Sequence, residues 1–200
     1  MNDDLTPEQL AAPSQVAKDK RPTSAAQAMT EFALDTMRLV RGQDGEVYAI
    51  ADDSALALPM RGAGGLRKQL IRNYRAETGK VANAQALTDC LAAVEAEGFE
   101  AEQVSVYTRV APGDGGVLVD LGRVDKQVVH VTGNGWTIRP LTAGDPVFIR
   151  PTYLGELPLP RPGRVEDLWT LINVHERDQM LVLGFMVSAY LPWVQMPILL

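Results

Sequence analysis

From Met180 to Leu200 the chain carries no charged residue. No other stretch restricts the fold as strongly, because so long an apolar run must be covered by something. Residues 176–191 are predicted as a helix that is apolar on nearly every face and therefore expected to be buried. Pro192 ends it, since proline lacks an N–H and clashes with the preceding turn. Residues 194–200 read as a short apolar strand. With no turn or polar cap after it, that strand is expected to lead onward into a further sheet. The run is also long enough to span a bilayer, so a C-terminal tail anchor is the competing reading. Pro192, Pro197, Gln195, Gly184 and Ser188 weigh against a membrane partner, as does the lack of Lys or Arg after the run.

The remaining composition is that of an ordinary globular chain. Of 200 residues, 46% are apolar and 22% charged, enough for a sizeable core in one or two domains. The net charge of −6 argues against a globally basic nucleic-acid coat, while leaving local patches open. Cys90 is the only cysteine, so no intramolecular disulfide can form, which fits a reducing cytoplasm. Met1 is followed by Asp3 and Asp4 and by no apolar segment, so no signal peptide is expected and the expected location is cytoplasmic.

The predicted organisation is α+β. Residues 1–23 are polar and proline-containing and read as a flexible tail. Residues 24–100 read as a mainly helical module with a small hairpin. Ser24 caps a helix predicted to run through Arg41, and residues 46–50 and 55–58 form the hairpin around Asp52-Asp53-Ser54. Helices are predicted over residues 66–78, closed by Gly79, and over residues 84–97, capped by Asn83 and closed by Gly98. Leu87, Cys90, Leu91 and Val94 recur at the spacing of one buried helix face. From Val104 the apolar period changes from helix to strand. Five short runs near residues 104–110, 117–121, 127–131, 136–138 and 147–149 predict an antiparallel β-meander over residues 101–150, with Asn134-Gly135 a strong hairpin turn. Four prolines make residues 151–164 an extended connector. Residues 165–172 read as a short amphipathic helix that opens a C-terminal segment, residues 165–200, of helices and the terminal strand.

One cluster stands out as a candidate site. Arg61, Arg67, Lys68, Arg72, Arg75 and Lys80 lie within twenty positions against one acid, Glu77. Lys68, Arg72 and Arg75 fall at i, i+4 and i+7, so they share one helix face that can track phosphates by charge. The two helices around this cluster, joined by a Gly-containing turn, suggest a helix-turn-helix-like pair. The competing reading is a solvated face that keeps the domain soluble. Gly62-Ala63-Gly64-Gly65 before a helix resembles an anion cradle but lacks the Lys-Ser/Thr ending of a P-loop, and a plain loop explains it as well. His130 and His175 lie far apart without further cysteines, so no metal site is expected. The acid pairs Asp52-Asp53 and Glu166-Asp167 suit a turn and a first helical turn, and Cys90 suits the core. No residue set points to catalysis.

The order of several short pieces resembles the region preceding the P-loop in helicase-like ATPases of bacterial prophages and mobile elements. The pieces are Gly45-Glu46-Val47-Tyr48-Ala49, Tyr74 with Thr78-Gly79-Lys80, Arg109-Val110-Ala111 and Val119-Asp120-Leu121-Gly122. They continue with Gly135-Trp136, Val147-Phe148-Ile149-Arg150, Leu157-Pro158-Leu159-Pro160, Asn173 and Met196-Pro197-Ile198-Leu199. The resemblance covers about residues 37–200. It implies a non-catalytic N-terminal part of an ATPase, contacting DNA or docking a partner, with self-association into a ring-forming motor among the implied partners. ATP and Mg2+ are implied for such a parent protein only, because no P-loop motif occurs in this chain and no cofactor is expected in it. Leu118 and Lys126 stand where aromatics are expected, which weakens a base-stacking role for the meander. The alternatives are a stand-alone protein-interaction domain without nucleic-acid binding, or the tail-anchored protein.

Overall fold

A computed structural model of the chain describes residues 24–51, 53–62 and 65–195. The expected tail over residues 1–23, the end of the expected terminal strand at residues 196–200, and Asp52, Ala63 and Gly64 lie outside the described residues.

The chain is α+β. Helix α1 (Ala25–Thr36) is capped by Ser24, whose hydroxyl accepts the Gln27 N–H at 3.1 Å. It ends five residues before the predicted boundary, because Met37 is already extended and opens strand β1 (Met37–Gly42). Met37 and Leu39 pack against the helices from the strand. What decides the conformation is the antiparallel ladder to β2 (Val47–Ala51). The predicted hairpin follows, with β2 antiparallel to β3 (Leu56–Pro59). Helices α2 (Leu66–Thr78) and α3 (Ala84–Gly98) take their predicted places, with the Asn83 side chain accepting the Ala86 N–H at 2.7 Å, but Gly98 is the last helical residue, pressed on Val47, and not the closing cap, which is Phe99.

The β region divides differently from the predicted meander. The run expected as one strand from Val104 breaks into β4 (Gln103–Val104), β5 (Val106–Tyr107) and β6 (Val110–Gly113). Only β6, β7 (Gly116–Asp120), β8 (Gln127–Thr132) and β9 (Gly135–Pro140) form the antiparallel meander. Strand β10 (Val147–Ile149) leaves it and inserts in parallel between β3 and β5, giving a six-stranded sheet in the order β4-β1-β2-β3-β10-β5.

That sheet closes on itself. Its two edge strands, β4 and β5, are separated by Ser105 alone, so residues 103–107 border β1 on one side and β10 on the other. Gln43 bridges the gap: its amide donates to the Val106 carbonyl at 2.8 Å and accepts the Val106 N–H at 2.6 Å. A side-chain amide thus makes the two bonds a neighbouring strand would have made. Val40, Tyr48, Ile50, Ala57, Val106 and Val147 pack within the closed sheet. Its outer face, through Met37, Val47, Ala49 and Met60, meets the layer of α1, α2 and α3.

The meander docks through Ala111, Leu118 and Val128 on Phe148 and Ala55. Residues 151–164 form no regular element but are tied down, because the Leu157 N–H bonds the Leu121 carbonyl at 2.8 Å and Leu157 packs on the meander's second face. The predicted helix after them is a 3-10 turn, Val165–Thr170, with no buried residue. Helix α4 (Gln179–Ser188) is present, but the expectation that it is buried is overturned. None of its residues is buried, and Met180 is 73% exposed. The described residues contain no surface that covers it. No helix among them is long and apolar enough to cross a membrane.

Candidate nucleic-acid interface

Helix α2 is built to present one side outward. Leu66 and Leu70 are fully buried, and Ile71 and Tyr74 pack partly against the same core. Lys68, Arg72 and Arg75 lie on the opposite side and are exposed. Arg67, to one flank, is exposed too. At 1.5 Å per residue, Lys68 and Arg75 are about 10 Å apart along the axis. The helix starts close to β3: a side chain at Gly65 would collide with the Pro59 carbonyl, so only glycine lets α2 begin there. It stops at Gly79, whose left-handed φ of 69° lets its N–H return to the Arg75 carbonyl.

The six predicted cations divide into two groups. Arg67, Lys68, Arg72, Arg75 and Lys80 form no ion pair among the described residues. Arg61 does: its Nη2 lies 3.0 and 3.1 Å from the two carboxylate oxygens of Glu95 on α3. Its charge is therefore partly balanced within the fold, and it belongs at the margin of the site. Lys80 follows the helix end and is exposed.

Between the start of α2 and β3 lies an open depression of about 340 Å³, lined by Leu58, Gly65, Lys68, Gln69 and Arg72. Sequence reasoning did not find it, because Leu58 and Gln69 become neighbours only through the close approach at Gly65. An apolar floor, one amide and two cations make it a place where an anionic group can sit against the helix. The two-helix unit is present, but α3 packs chiefly on α1, so the three helices form one layer. The anion-cradle reading of residues 62–65 cannot be followed, as Ala63 and Gly64 lie outside the described residues.

Elsewhere the chemistry is structural. Asp120, with no exposed surface, accepts Arg150 Nε at 2.8 Å and Nη2 at 2.7 Å. Arg109 donates to the Asp120 carbonyl and to the Gly155 carbonyl, both at 2.8 Å. Arg150 thereby fastens the meander to the closed sheet, and Arg109 ties β7 to the connector at Gly155. The His130 ring nitrogen Nε2 lies 2.9 Å from the Asp114 carbonyl oxygen, and His175 opens a 3-10 turn. The described residues hold no cluster of three metal-ligating side chains. Burial pushes the Cys90 thiol above its usual pKa.

No protein-family model, no curated protein and no solved structure matches this chain. The class that fold and site define is therefore α+β with an exposed basic helix.

Proposed function

We propose that this chain is a binding module that holds a nucleic-acid backbone along α2. One observation carries the reading. Lys68, Arg72 and Arg75, with Arg67 beside them, stand on the outer side of a helix whose other side is anchored by Leu66 and Leu70. They have no carboxylate partner among the described residues, in a chain of net charge −6. Unpaired cations held in fixed register keep their full charge for phosphate oxygens and release counterions when they bind. Contacts of this type position a strand without reading its sequence. DNA is the expected polymer, on the resemblance to the region ahead of the ATPase core in helicase-like proteins of prophages and mobile elements. In that reading the motor chemistry, with its ATP and Mg2+, belongs to a P-loop that this chain's sequence does not contain, and the work is done in the cytoplasm.

The test is binding of a labelled DNA strand to the chain and to a Lys68→Glu, Arg72→Glu, Arg75→Glu variant with an unchanged circular dichroism spectrum. Loss of binding in the variant supports the reading. Equal binding contradicts it.

A further inference from the structure

The meander and the C-terminal segment offer two halves of one contact. On the meander's outer face Val117, Val131 and Trp136 lie in one cross-strand row, and Val119 and Val129 in the next. They line an open apolar groove of about 410 Å³. Tyr190, just past α4, lines the same groove, so groove and helix form a continuous apolar surface. Helix α4 has no charged residue and no buried one.

We infer that the occupant of this groove is helix α4 of a second copy of this chain, in a reciprocal, twofold-symmetric dimer. Two observations select a second copy. Both halves of the contact, an apolar helix and an apolar groove, sit side by side on one chain, which is what a self-complementary twofold interface requires. The extent is sufficient. Met180, Leu181, Met186, Val187, Tyr190 and Trp193 are between 39% and 73% exposed. They leave roughly 700 Å², close to the ~800 Å² per partner of a standard stable interface, before the groove's valines and Trp136 are counted. The charge is compatible: residues 179–195 carry no charge, and Arg161, the charged residue lining the groove, meets no like charge on the incoming helix. Trp136 and Trp193 are the large aromatic anchors that such interfaces favour.

The experiment uses the full chain. Sedimentation over about a hundredfold range of concentration should show a monomer–dimer equilibrium. A Leu181→Glu, Val187→Glu variant should dissociate more than about tenfold more readily, with its helix content unchanged. Geometry is read by mixing two singly substituted chains, Leu181→Cys and Val131→Cys. Cys90 is buried and stays silent, so oxidation should yield the mixed covalent dimer in preference to one between Leu181→Cys and an Arg38→Cys control. A chain that is monomeric throughout, a dimer indifferent to the Glu substitutions, or cross-linking no better than the control each overturns the inference. So does a monomer that floats with phosphatidylcholine vesicles, which would assign the surface to lipid.

Discussion

Arg150 grips the buried carboxylate of Asp120 with two hydrogen bonds of 2.7 and 2.8 Å, and this pair joins the end of β10 to the meander. A third bond, from Arg150 Nη1 to the Arg123 carbonyl at 2.6 Å, satisfies the guanidinium further. Removing Arg150 strands a carboxylate that water cannot reach, and removing Asp120 takes from the mostly buried guanidinium its charged partner. Asp120→Ala is expected to cost about 3–5 kcal/mol, and Asp120→Ala with Arg150→Met together distinctly less than the two single changes summed. Urea unfolding of the three variants measures it; additive losses would show that the pair is not coupled.

Gln43 closes the six-stranded sheet by standing in for a strand. Gln43→Ala would leave the Val106 N–H and carbonyl without their partner, at about 1–3 kcal/mol. Hydrogen exchange at the Val106 amide should then accelerate by far more than exchange at amides of α3. Uniform acceleration would mean that the whole fold had loosened and that Gln43 has no local closing role.

Asp145 is expected to contribute to the acid dependence of stability. Its carboxylate takes two bonds from Arg139, at 2.7 and 2.8 Å, and two from Thr142. The Arg139 hydrogen bonds hold its pKa down, to about 2. A depressed carboxylate stabilises the fold above its unfolded pKa, and that contribution is lost as pH falls from about 4 through about 2. Asp145→Asn should remove this part of the acid dependence, seen as a flatter Tm against pH below pH ~4. An unchanged slope would assign the acid limb to other carboxylates.

Helices α2 and α3 were legible because their signals are local. Gly79 and Asn83 mark ends by backbone geometry, and Leu87, Cys90, Leu91 and Val94 repeat at helical spacing. The spacing of Lys68, Arg72 and Arg75 likewise places them on one face without tertiary information. What was not legible depends on distant partners. Met37 and Leu39 suit a helix until β2 is present to pair with them. Val147 and Phe148 read as one more meander strand, because nothing in three residues tells a parallel partner from an antiparallel one. Arg61 reads as a free cation, and only the fold brings it to Glu95. Helix α4 was expected to be buried on composition alone, yet composition says nothing about which surface would cover it.

Cys90 is fully buried and its thiol pKa is raised by that burial. Since the thiolate is the reactive form, the native chain should react with a thiol reagent only as fast as it opens, and at once when unfolded. Rapid labelling under native conditions would mean that the helical layer opens easily.

On the proposed function, α2 binds phosphates through charge. A salt titration of DNA binding tests it most directly, because each phosphate contact adds a fixed increment to the salt dependence. Contacts from Lys68, Arg72 and Arg75 predict a slope of log affinity against log salt of about −2 to −3. The Lys68→Glu, Arg72→Glu, Arg75→Glu variant should bind too weakly to titrate. Binding that is insensitive to salt, or a slope unchanged in the folded variant, would contradict the account and leave α2 as solvated surface.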